Sequence, residues 1–182
     1  MNRLLRPLIA VALTLVAPCA SHTAAAAPTR ASADKITRVR IAKQAHSLEL
    51  FAGDRLVARY SVAIGPGGAG PKLREGDKVT PTGRYHVVRH QPSRYKTFLR
   101  LDYPNATDRA RFAKLKREGQ LPRSASIGGD IGIHGPPVDM DPLTKPLLKR
   151  VDWTLGCIAV NEDEITEISS RVADGTVVDI DD

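Results

Sequence analysis

Ile131-Gly132-Ile133-His134-Gly135, a gap, and then Trp153-Thr154-Leu155-Gly156-Cys157-Ile158-Ala159-Val160 are the stretches on which the reading of this chain turns. The chain has two cysteines, and the other, Cys19, lies in a segment laid out like a removable export signal. The exported chain would therefore keep one thiol in a compartment that favours disulfides. Unpaired thiols oxidise and cross-link there, so packing alone is a poor reason to retain one. A reactive role for Cys157 follows. Thiol chemistry runs through the thiolate, and free cysteine titrates near pH 8.5, so a nearby imidazole or oriented backbone dipoles should depress its pKa. His134 lies 23 residues earlier and can meet Cys157 only through the fold. It ends a predicted strand in which Ile131 and Ile133 face the other way, and Gly135-Pro136 breaks that strand, placing the imidazole at an edge. Gly156 permits a tight turn from which the N–H groups of Gly156 and Cys157 would face an oxyanion. A histidine by itself is more often a satisfied, non-catalytic one; beside a lone exported cysteine in a Gly-Cys turn, the catalytic reading prevails.

The N-terminus explains the compartment. Arg3 and Arg6 form a basic start, Leu8 to Ala17 is apolar, and Ser21 to Ala27 is small and alanine-rich, the layout of a secretory signal peptide. The apolar run is short of the about 20 residues that span a bilayer. Cleavage fits after Ala26, with Ala20 as the alternative, and Pro18 argues against acylation of Cys19. Residues 1–26 are thus read as signal, 27–35 as a flexible lead-in and 36–182 as one domain. No long apolar run follows, so the expected protein has no integral membrane segment after cleavage and resides in the periplasm or cell envelope.

About 155 residues remain, enough for one domain with a sizeable core. The formal charge is +7 over 182 residues. That modest excess suits an anionic partner such as cell wall as well as it suits plain solubility. Dispersed basic residues, few aromatics and no recognisable motif speak against nucleic acid. Residues 38–43, 47–51 and 56–64 alternate as a β-meander; 65–71 is a glycine- and proline-rich loop; 84–89, 97–103, 127–134 and 176–180 read as further strands. A helix is predicted over 108–118, with Ala110, Phe112 and Leu115 as its apolar contacts. Another starts at Asn161, with Glu164 placed for a capping box, and runs to about Val172. Residues 142–151 form a short helix or loop over the site. Strands dominate without βαβ alternation, so the class is mainly β with a few short helices.

The motifs resemble the L,D-transpeptidase catalytic domain, the YkuD-like family of bacterial cell-wall enzymes. Its site pattern is His-Gly, a gap, then Ser/Thr-x-Gly-Cys, here His134-Gly135 and Thr154-Leu155-Gly156-Cys157. Further matches are Val62-Ala63-Ile64-Gly65, Gly76-Asp77, Thr80-Pro81-Thr82-Gly83-Arg84-Tyr85, Asp102-Tyr103-Pro104-Asn105 and Gly175-Thr176-Val177-Val178. The resemblance implies a β-sandwich, Cys157 as nucleophile, His134 as its base, support from Gly156, Thr154 and Gly135, and no cofactor. Leu155 stands where many members have histidine, and Ala159 where many have asparagine or arginine. Both are expected, with Trp153, to touch substrate. The implied activity is transfer at the L-centre to D-centre amide of a peptidoglycan tetrapeptide stem through a thioester. The pattern also resembles a branch that includes an enzyme releasing a wall-attached lipoprotein from diaminopimelate, so a carboxypeptidase or amidase is the alternative, and a non-catalytic wall-binding module a third reading.

Other residues invite competing readings. Asp130, Asp139, Asp141 and Asp152 match no metal-ligand spacing, and loop solvation and capping are expected instead. His86 and His90 share a strand face but are expected to be two surface histidines rather than a zinc pair. Arg84, Lys72 and Arg94 are expected to be solvated.

Overall fold

The computed structural model describes residues 35–182. The readings of residues 1–26 as signal, of most of the lead-in and of Cys19 lie outside the described residues. The elements are β1 (Arg38–Ala42), β2 (Ser47–Ala52), β3 (Arg55–Ser61), β4 (Gly83–Ser93), β5 (Lys96–Leu101), α1 (Ala106–Arg117), β6 (Gly132–His134), a 3-10 turn (Lys145–Arg150), β7 (Ile158–Ala159), α2 (Glu162–Arg171) and β8 (Val177–Asp181). The class is mainly β, as the residues imply.

The strands form one eight-stranded sheet in the order β3-β2-β1-β8-β4-β5-β6-β7. The expected meander β1-β2-β3 is antiparallel. The closing strand β8 then runs parallel to β1 and antiparallel to β4. Its alternation explains the fit: Val178 and Ile180 are buried, like Val39 and Ile41 beside them. β4 belongs to both halves of the sheet. Gly83 to His86 pair with β8, and Val87 to Ser93 pair with β5 after a bulge between Val87 and Arg89. A bulge bends a strand and increases its twist. The two layers of the expected sandwich are therefore halves of a single sheet, joined through β4.

α2 lies over this core with Ile165 and Ile168, one turn apart and fully buried. Its start is tied as predicted, Glu164 Oε2 accepting from the Asn161 N–H at 2.8 Å. α1 departs from expectation. Ala110 is exposed and Phe112 and Leu115 only half-buried, while the buried residue is Asp108. Its carboxylate accepts from Tyr85 Oη at 3.2 Å, from Arg111 at 3.2 Å and from the Asn105 N–H at 3.1 Å. Polar satisfaction, not an apolar stripe, holds this helix to the sheet. The expected strand over 127–134 shrinks to β6, because Gly128 and Asp130 take positive φ values of 76° and 55°, outside strand geometry. Among the described residues, no helix is long and apolar enough to cross a membrane.

Candidate active site

Sheet register puts the site together. Phe98 pairs with His134 across β5 and β6, and His134 with Ala159 across β6 and β7. Side chains two apart along a strand share a face, so Cys157, just before β7, stands on the face of His134 and diagonal to it. Gly132 occupies the position between them and Arg100, and a Cβ there would lie 2.5 Å from both the Leu99 carbonyl and the Phe98 ring. A cleft of about 620 Å³ opens on this face, and Cys157, His134, Trp153, Thr154 and Leu155 all line it.

His134 is not at an edge. β6 lies between β5 and β7, and the imidazole is 2 % exposed. Three rings enclose it: Tyr95 at 4.3 Å between centroids, Phe98 stacked at 5.8 Å and 11°, and Trp153 edge-on at 5.7 Å and 74°. Nδ1 lies 2.7 Å from the Gly135 carbonyl. A carbonyl only accepts, so Nδ1 carries the proton and the neutral ring presents Nε2 as an acceptor. Burial lowers the imidazole pKa below its ordinary value, partly opposed by the Gly135 bond. Gly135 also admits close packing, since a Cβ there would come within 2.9 Å of Ile165 Cγ2.

The turn before Cys157 is stapled by Thr154, whose side chain is buried. Its Oγ1 donates to the Cys157 carbonyl at 2.7 Å and accepts from the Gly156 N–H at 3.2 Å. The expectation that the Gly156 N–H faces an oxyanion is corrected by that bond. Gly156 itself is required: its φ is 128°, and a Cβ would sit 2.7 Å from the Val79 carbonyl. Thr154→Val removes both staples from a buried site. We expect it to lower folding stability by about 1–3 kcal/mol, read by urea denaturation; an unchanged midpoint would show the staple to be dispensable.

Cys157 is free and half-buried. No hydrogen bond joins it to His134; the thiol donates instead to the Asp130 carbonyl at 3.4 Å. Its pKa is not depressed. Desolvation pushes it up to about 11; the Gly132 N–H and the charges of Lys72 and Arg100 oppose that rise, and the Asp130 charge adds to it. Thiol and imidazole therefore rest as a neutral pair at pH 7.

The three residues expected at substrate divide. Trp153 lines the cleft with its indole N–H buried and unpartnered, and Leu155 stands on the rim, 71 % exposed. Ala159 does not reach the cleft. It is 2 % exposed within β7, its N–H and carbonyl both bonded to Ala63. A polar residue there would be buried without partners, so Ala159→Asn should cost about 1–3 kcal/mol of stability in chemical denaturation, and a stable variant with altered product ratio would restore it as a substrate contact.

The aspartates are paired rather than clustered. Asp130 bridges Arg100, Asp139 lies 3.9 Å from Arg94, Asp141 accepts from the Leu143 N–H, and Asp152 from His46 and the Ile64 N–H. His86 and His90 each face a different aspartate, Asp102 and Asp174. Arg84 is held by Asp179. Sequence reasoning passed over Tyr95, Phe98, Arg100 and Thr80. Thr80 is fully buried, accepts from the Gly65 N–H and reaches the Cys157 carbonyl at 3.5 Å. Only the Thr80-Pro81-Thr82-Gly83 motif hinted at it. Lys72, expected to be solvated, is buried on the cleft wall.

Relatives agree with this architecture. The helical cell shape determining protein Pgp2 of Campylobacter jejuni superposes with a TM-score of 0.58 at 24% identity, over 81% of this chain and 48% of that one. Bd1075 of Bdellovibrio bacteriovorus gives 0.53 at 20% identity, over 83% and 49%. Both likenesses concern the fold, and this chain spans about half the length of each. In sequence, the protein named "Putative L,D-transpeptidase YafK" of Escherichia coli (strain K12) is 38% identical over 79 residues, which is 40% of this chain and 32% of YafK. The sequence pattern of the L,D-transpeptidase catalytic domain extends over residues 36–180, nearly the whole described chain, and by that match the chain belongs to the L,D-transpeptidase catalytic domain family.

Proposed function

We propose that this protein is an exported, cysteine-dependent L,D-transpeptidase acting on peptidoglycan tetrapeptide stems in the cell envelope. The observation that carries the reading is the pairing within one cleft of Cys157 with a buried imidazole whose Nδ1 proton is pinned to the Gly135 carbonyl. That tautomer leaves Nε2 to take the thiol proton. For the pair to react, Sγ leaves the Asp130 carbonyl for Nε2, and catalytic hydrogen bonds commonly tighten only when substrate binds. Sγ then bonds to the carbonyl carbon at the L-centre as its proton passes to Nε2. The carbonyl becomes an oxyanion, held by the Cys157 N–H. The C–N bond breaks, the leaving amine takes the proton from His134, and a thioester remains. An acceptor amine attacks it, giving its proton to Nε2, and the C–S bond breaks to restore the thiol.

Water in place of the amine makes the enzyme an L,D-carboxypeptidase, or an amidase releasing lipoprotein from diaminopimelate. The exposed, apolar Leu155 favours this second reading, because its side chain offers an incoming amine no hydrogen-bond partner. One experiment separates them: incubation with purified muropeptides, products resolved by mass. Cross-linked dimers support transfer, trimmed stems support hydrolysis, and no Cys157-dependent product removes both.

A further inference from the structure

Lys72 is a buried charge on the wall of the reaction cleft that the reaction scheme leaves unused. It sits in the loop between β3 and β4 with its side chain 3 % exposed, on the wall of the cleft that holds Cys157. Its Nζ donates to Asp77 Oδ1 at 2.5 Å and reaches the Leu155 carbonyl at 3.5 Å. An ammonium has three protons, so one remains after these two partners. Gly156 leaves room for it: a Cβ at that position would be 3.5 Å from Nζ.

Asp77 ties the loop through backbone groups as well as through Lys72. Asp77 already accepts from the Leu73, Arg74 and Val79 N–H groups at 2.8, 3.0 and 3.0 Å. Burial would raise the Asp77 pKa, but Lys72 and these N–H groups outweigh it and hold the carboxyl below its usual value. Those N–H groups also disperse the carboxylate charge into the loop, so the Lys72 charge is only partly cancelled at the turn. A buried ion pair is a weak stabiliser because desolvating both charges offsets their attraction. Its position against the nucleophile's turn is the informative fact. Of the other titratable groups in the cleft, Arg100 and Asp130 pair with each other and act on the thiol in opposite senses, His134 is held neutral by burial, and Glu75 and Arg94 also line the wall.

We propose that Lys72 is a positioning residue for the nucleophile: its ammonium, anchored by Asp77, holds the plane of the Leu155–Gly156 peptide and supplies the positive charge that favours thiolate and oxyanion at Cys157. This rests on Cys157 being the nucleophile. The chemistry is that of a fixed cation beside a developing anion, where each unit of thiol pKa corresponds to a tenfold change in thiolate at a given pH.

The test uses the full chain and a neutral alkylating probe, iodoacetamide, with modification read at the Cys157 peptide by mass across pH 7 to 9. Lys72→Met should slow alkylation about tenfold, one pKa unit, while Lys72→Arg, which keeps the charge, stays within about threefold. Loss of structure works the other way, exposing the thiol and speeding the reaction, so it does not imitate the expected result. Should Lys72→Met fail to melt cooperatively, Lys72→Gln decides, since it keeps a donor for the Leu155 carbonyl without charge. Wild-type alkylation rates in an uncharged variant overturn the proposal. On muropeptides, the uncharged variants should lose kcat with KM little changed; a change confined to KM would also overturn it. Absence of Cys157-dependent turnover in the unmodified protein is a separate outcome, which removes the proposed function and leaves the alkylation comparison readable.

Discussion

Cys157→Ala should abolish turnover of muropeptides, by about 10⁴-fold or more, while the fold survives. The size follows from covalent catalysis: without the sulfur there is no acyl-enzyme, and what remains is substrate binding and oxyanion contact. The fold survives because the thiol is half-buried and its hydrogen bond to the Asp130 carbonyl is long; a change in stability within about 1 kcal/mol is expected. Residual turnover above about 1 % would place the nucleophile elsewhere. The same variant has a signature in alkali. Burial pushes the thiol pKa up to about 11 in the folded protein, against an ordinary value of about 8.5–9. Unfolded chains therefore lose the proton first, and the stability this group contributes is present below pH 9 and lost as pH rises from there toward 11. The alanine variant lacks that group, so its melting temperature should fall less steeply over the same interval.

His134→Gln should cost about 10²–10⁴-fold in kcat, the usual range for a positioned general base. The pH dependence carries the sharper test. Burial lowers the imidazole pKa, so His134 stays neutral, and competent as a base, below the pH at which an ordinary histidine has protonated. The acid limb of kcat/KM should accordingly lie below about pH 6.5. Stability follows the same sign: the unfolded chain binds its proton first as pH falls through the ordinary histidine range, so the native state loses stability from there down to the lowered pKa. The glutamine variant should lose less melting temperature between pH 7 and 5 than the wild type does. An acid limb at or above pH 6.5 in the wild type would mean that the group titrating is not this buried imidazole.

Much of the frame was legible along the chain because its causes are local. Alternation in β1, β2 and β8 requires only a period of two and one buried face, and Val39, Ile41, Leu48, Leu50, Val178 and Ile180 all have that face in the core. The start of α2 requires only Asn161 and Glu164. Helix α1 follows from local spacing, but its attachment does not, since an inward aspartate satisfied by Tyr85, Arg111 and a backbone N–H breaks the rule of apolar stripes. The strand before His134 is shorter than its predicted span because Gly128-Gly129-Asp130, a turn signal by residue type, takes positive φ at Gly128 and Asp130.

The sequence by itself determined the family, the mainly β class and the pair of residues worth testing, because the Gly-Cys turn and the His-Gly are readable from residue types and order alone. Only the tertiary structure decided the environment of that pair. The insertion of β8 beside β1, the ring cage around His134, the diversion of the thiol to the Asp130 carbonyl and the burial of Lys72 against the Leu155 carbonyl all join segments tens of residues apart. The physical reason is that charge, proton affinity and hydrogen-bond choice depend on desolvation and on the nearest partner in space. Those quantities come into existence only when the sheet has closed and distant loops meet.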